Sequence, residues 1–162
     1  MGSVRRVRRC TSSRRPMTGR SSRPHVSAAT RESSRLEAAR QFAVQSARLA
    51  ANTRCHNVVV LDVSGISPVT DFLVLATGTS PRQMKTVCDE VEEMAGGHNE
   101  RPLSRVGDDS ASWTCIDFVD VVVHVFSQDA RGYYDLDGLW GDAKPVEWRD
   151  ETAPAPAAAE PH

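Results

Sequence analysis

No apolar run in the chain approaches the ~18–20 residues that a membrane-spanning helix requires, so no membrane partner is expected. The short motifs that announce chemistry are missing as well: there is no phosphate-cradling G-x-x-x-x-G-K-[ST] loop and no H-E-x-x-H metal helix. The four cysteines, Cys10, Cys55, Cys88 and Cys115, stand far apart and form no C-x-x-C pair. That argues against a zinc ribbon or a dithiol redox motif and suits a reducing cytosol, where each thiol behaves as a small apolar residue. Positive charge is scarce over residues 36–162, which carry ten Lys/Arg against twenty Asp/Glu, a net charge of −10. Such a body repels phosphate backbones and attracts basic protein surfaces.

The missing positive charge is concentrated at the other end. Residues 1–35 hold ten Arg and one acid, Glu32, for a net charge of +9, with almost no large apolar side chains before residue 30. This composition predicts a disordered basic extension over residues 1–33. Its Arg- and Ser-rich, acid-poor character is superficially that of an organelle transit peptide, without the apolar periodicity of an amphipathic helix, and Met17 is a candidate alternative start. Binding of RNA by this arm, without sequence specificity, is one reading of its charge. An Ala/Pro-rich tail is expected over 149–162, which leaves a single folded domain over 34–148.

Within that domain, Leu36, Ala39, Phe42, Ala43, Ala47 and Ala50 have helical spacing after a cap at Ser33 or Ser34. Residues 57–63 and 71–76 are apolar, largely aliphatic runs short enough for buried strands. Ser80 followed by Pro81 opens a helix to about Met94, which Gly96 and Gly97 are expected to stop. A polar strand near 102–106, two strands at 112–117 and 120–126 joined by a tight turn at Phe118-Val119, and a short helix near 128–140 follow. On the last strand Asp120, Val122, His124 and Phe126 share one face and Val121, Val123 and Val125 the other. The pattern predicts an α/β fold: a mixed five-stranded sheet flanked by helices.

Catalytic readings meet physical objections. Gly78-Thr79-Ser80-Pro81-Arg82 half matches a G-x-S-x-G nucleophile elbow, with Asp117 or Asp120 and then His124 following in hydrolase order. Arg82 replaces the last glycine, and Pro81 has no N–H to donate to an oxyanion. Ser80 is read as a helix cap instead. Asp117 and Asp120 with magnesium, preceded by Gly78 and Ser80, would suit a nucleotidyltransferase-like enzyme, but the Gly-Ser element lies far ahead of the acids. No catalytic residue, metal or cofactor is therefore assigned. Trp113, just after the polar loop Gly107-Asp108-Asp109-Ser110, reads as an interface anchor beside acids or as an ordinary core tryptophan. Tyr133, Tyr134 and Trp140 read as further anchors or as the cover of one sheet face.

Several ordered motifs then carry a resemblance. They are Val60-Leu61-Asp62-Val63, Thr70-Asp71-Phe72, Ala76-Thr77-Gly78-Thr79-Ser80 and Arg82-Gln83-Met84. They continue with Ser112-Trp113, the stretch Asp117-Phe118-Val119-Asp120-Val121-Val122-Val123-His124-Val125-Phe126, Arg131, Tyr133-Tyr134-Asp135-Leu136-Asp137 and Leu139-Trp140-Gly141-Asp142. Over about residues 37–148 this resembles the ribosomal silencing factor, or Iojap-like, family. The resemblance implies an α/β/α fold distantly similar to nucleotidyltransferases without their active site. It also implies a cytoplasmic, non-enzymatic repressor that binds the large ribosomal subunit through ribosomal protein uL14 and blocks subunit joining when nutrients are scarce; some members form homodimers. A factor that assembles the large subunit is the alternative. The partner-binding residues expected on this basis are Trp113, Asp108, Asp109, Asp117, Asp120, His124, Tyr133, Tyr134 and Trp140. Two stretches depart from the family: Val106-Gly107 stands where Glu-Gly is usual, so an acid contact is lost or supplied by Asp108 or Asp109, and residues 96–100 differ in character.

Overall fold

The computed structural model describes residues 27–150. The extension expected over 1–33 and the tail expected over 149–162 therefore lie mostly outside the described residues. The helix α1, Ala28–Asn52, starts at an N-cap Ser27 whose side chain accepts from the Thr30 N–H. It begins six residues before the expected start. Its full burial begins only at Ala39, after a half-buried Leu36, so the first two turns leave no apolar periodicity in the sequence. From there Ala39, Phe42, Ala43, Ala47 and Ala50 lie against the sheet, and the alanines let the helix come close.

The strands are β1, His56–Asp62; β2, Phe72–Thr77; β3, Ser104–Gly107; β4, Trp113–Asp117; β5, Val121–Phe126; and β6, Lys144–Pro145. They form one six-stranded sheet in the order β3-β4-β5-β2-β1-β6. Only β2 and β5 pair in parallel, and the other pairs are antiparallel, so the sheet is mixed, as expected. The sixth strand is the difference. It is two residues long and includes a proline at a sheet edge, the position where proline is tolerated. Behind it Val146 and Trp148 are buried, and the Trp148 indole donates to the Val58 carbonyl at 3.1 Å.

The helix α2, Pro81–Gly97, covers the same sheet face as α1. Ser80 caps it, its hydroxyl accepting from the Gln83 N–H at 3.2 Å. Gly96 and Gly97 sit inside its last turn rather than ending it. The residue in the left-handed region is Asn99, φ 59°. Glu100 N–H reaches the Ala95 carbonyl and Asn99 N–H that of Gly96, a Schellman termination in which asparagine takes the usual glycine place. This accounts for Asn99 within the 96–100 stretch. Two short helices, α3 at Gln128–Tyr134 and α4 at Leu136–Leu139, lie on the opposite face.

The β4–β5 turn holds a local conflict. Val119 has φ 74°, in the region that β-branched residues avoid, and is exposed. Val119→Gly is expected to raise stability by about 0.5–1 kcal/mol, read as a higher urea midpoint at an unchanged slope.

Candidate functional site

Strand alternation divides the sheet into two faces. One carries Val58, Val60, Phe72, Val74, Ala76, Ile116, Val121, Val123 and Val125, all buried under α1 and α2. The other carries Leu61, Leu73, Leu75, Val122, His124, Phe126, Trp113, Cys115 and Val106, as the register of β1 to β5 requires. On this second face α3 and α4 cover only part of the sheet. The row that crosses it from β3, Val106–Cys115–His124, is half-buried or exposed.

At the edge of that open area sits an aromatic platform. Trp113 pairs across strands with Phe126, its ring stacks near His124 (6.1 Å) and Phe126 (6.4 Å), and Tyr134 meets it tilted at 5.6 Å. Tyr133 meets Tyr134 edge-on at 5.2 Å and is 84% exposed. Leu139 is also exposed. Trp113 is thus neither a free plug nor a core residue: half-buried, it packs by one side on the second apolar cluster.

The indole N–H of Trp113 donates to His124 Nδ1 at 3.2 Å. An acceptor Nδ1 requires a neutral ring with its proton on Nε2. Burial favours the same state, pushing the His124 pKa from 6.5 down to about 4. Between these two values the unfolded chain binds more protons than the folded one, so stability falls as pH falls through that window. The thermal midpoint is expected to drop between pH 7 and pH 5 in the native chain and to drop less in His124→Phe. Cys115 beside it is held as a thiol, its pKa pushed up to about 11 by burial, so the row stays uncharged.

The expected site residues do not all converge. Trp113, His124, Tyr133 and Tyr134 come together, with Asp108 beneath Trp113 and Asp109 exposed on the same loop. Trp140 is half-buried and packs on the second apolar cluster, fixing α4 rather than standing free. Asp117 shares the face of Trp113 but lies four residues along β4, roughly 13 Å away; its carboxylate accepts from the Val119 N–H at 2.7 Å and serves the turn. Asp120 is drawn out of the set. It pairs with Arg35 of α1, which also holds Glu32 at 2.8 Å and Asp71 at 2.9 Å. This clamp fastens α1 to the turns at that end of the sheet, and no local sequence pattern signals it.

The same geometry separates the elements of the enzyme readings. Gly78 and Ser80 follow the end of β2, where Thr77 pairs with Phe126, while Asp117 and Asp120 flank the opposite end, where Phe72 pairs with Val121. Gly78 is a packing glycine, since a Cβ there would overlap the Met84 side chain. Among the described residues no group of three or more His, Cys, Asp or Glu side chains is placed to hold a metal ion. No helix among them is long and apolar enough to cross a membrane.

Sequence reasoning missed Val106 and Leu139 as parts of the surface. Val106, 54% exposed on the edge strand, puts an apolar side chain in line with Cys115 and His124. Its alternation with Arg105 along β3, which puts Val106 on the face opposite the Arg105 side chain, was the available signal.

Residues 36–162 match the family described as ribosomal silencing factor during starvation. The chain is similar to the ribosomal silencing factor of Bacillus subtilis (strain 168), with 39% identity over 90 residues that cover 56% of this chain and 76% of that protein. A crystal structure of a Bacillus halodurans protein is similar at 34% identity and a TM-score of 0.55, covering 66% of this chain and 94% of that one. A crystal structure from Chromobacterium violaceum is similar at 26% identity and a TM-score of 0.59, covering 72% of this chain and 95% of that one.

Proposed function

The chain belongs to the ribosomal silencing factor family, and on that premise we propose that it docks on the large ribosomal subunit through ribosomal protein uL14 and sterically blocks joining of the small subunit. It acts in the cytoplasm as a translational repressor under nutrient limitation and makes or breaks no covalent bond. The observation that carries this reading is the partly uncovered sheet face, where Trp113, His124 and Val106, with Tyr134 at the end of α3 beside Trp113, leave an aromatic and apolar surface that α3 and α4 do not fully cover. Its composition is that of an interface centre, rich in aromatics and poor in charge.

The acidic balance of residues 36–162 supplies the second element. A net negative body is steered toward a basic protein patch and away from bare RNA phosphate, which sets on-rate and partner choice more than final affinity. Desolvation of the aromatic platform then supplies the affinity. Co-sedimentation of the full chain with separated subunits tests the reading. Pelleting with large subunits and not with small ones is expected. Equal pelleting with both, or with neither, contradicts it.

A further inference from the structure

The loop before β4 is closed by a side chain that the sequence offers as a contact acid. Asp108 Oδ1 accepts from the backbone N–H groups of Ser112 at 2.8 Å and Trp113 at 2.9 Å. Its Oδ2 accepts from the hydroxyls of Ser110 and Ser112. In return the Asp108 N–H donates to the Trp113 carbonyl at 3.2 Å, so the two residues are tied in both directions. Four donors occupy the acceptor sites of a carboxylate, which leaves little for an outside cation. The hydroxyls of Ser110 and then Ser112 hold this carboxyl well below the usual carboxylate range. Within the loop Ala111 takes φ 53°, a conformation an alanine does not adopt unaided.

We propose that Asp108 is the positioning residue of the docking surface: it braces residues 108–113 so that Trp113 enters β4 with its indole already laid over His124 and Phe126. The proposal rests on the reading of that platform as the docking surface. A loop ordered in advance loses no conformational freedom when the partner arrives, and this is where the brace acts on affinity. The acid left to face the partner is Asp109, exposed beside it.

The two roles make opposite demands on one substitution. Asp108→Asn removes the charge and keeps Oδ1, the acceptor of both backbone N–H groups. Asp108→Ala removes the brace. Both variants and Trp113→Ala are titrated against purified large ribosomal subunits. The three indole N–H resonances are followed by 1H–15N NMR, with that of Trp113 assigned by its loss in Trp113→Phe. For Asp108→Ala a loss of about tenfold in affinity is expected, the usual worth of a lost side-chain cap. Its Trp113 resonance broadens or splits, while those of Trp140 and Trp148 stay in place and report an intact fold. Asp108→Asn recovers most of both properties. Equal losses in Asn and Ala variants with the Trp113 resonance unmoved would show a charge contact and overturn the proposal, as would native affinity in Asp108→Ala. Native affinity in Trp113→Ala would overturn the platform reading itself, and the proposal with it.

Discussion

Arg131→Ala is expected to lower the unfolding free energy by about 2–4 kcal/mol, the largest stability loss expected of any single polar substitution among the described residues. The guanidinium is 9% exposed and uses three nitrogens. Nε and Nη2 grip the two oxygens of Asp137 at 2.7 and 2.9 Å, and Nη1 reaches the Asn57 carbonyl at 3.0 Å and Thr77 Oγ1 at 3.2 Å. The Asn57 carbonyl needs this partner because β1 carries a bulge there. His56 pairs with Thr77 and Val59 with Leu75, so one extra residue is accommodated, and Asn57 takes φ 48°. Alanine would leave the partly buried Asn57 carbonyl and the buried Thr77 hydroxyl short of a partner and would uncouple α3 from the sheet. Asp137 is 43% exposed and can be rehydrated, which keeps the loss below that of a fully buried pair. Asp137→Asn should accordingly cost less than Arg131→Ala in urea unfolding. A loss below about 1 kcal/mol for Arg131→Ala would show that water replaces the guanidinium, contrary to its burial.

Trp113→Ala is expected to fold and to lose about 2–4 kcal/mol of binding free energy, roughly thirtyfold to a thousandfold in affinity for the large subunit. The fold survives because Leu61, Leu73, Leu75 and Phe126 still form the apolar cluster beneath. The platform does not survive. His124 loses the indole donor at its Nδ1, and Tyr134 loses the ring 5.6 Å away. An unchanged thermal midpoint within a few degrees, with binding lost, separates an interface anchor from a core residue. Unchanged binding with a lowered midpoint would assign Trp113 to packing alone.

The strands and α2 are legible because their signals are local. The runs 57–63 and 71–76 announce β1 and β2 within one residue at each end, and Ser80-Pro81 marks the start of α2. What stays hidden depends on partners distant in sequence. The first turns of α1 have no apolar period, and Arg35, which fixes them, finds Asp120 85 residues later. The strand β6 has too few residues to show alternation, and Arg131 carries no local mark of burial. At the site, the residue types were legible and the assembly was not. Trp113 reaches His124 and Phe126 only through the β4–β5 register, which a tight turn with Val119 in the left-handed region sets. Asp108 and Asp109 are adjacent identical residues, and only the fold shows one turned in and the other out.

The central claim is occlusion, and it is tested most directly by mixing large subunits preincubated with the full chain with small subunits and following light scattering as they pair. Subunits carrying the chain should fail to form couples, while those preincubated with Trp113→Ala should pair at the rate of bare subunits. Couples that form at the bare rate with the native chain still bound to them would contradict it.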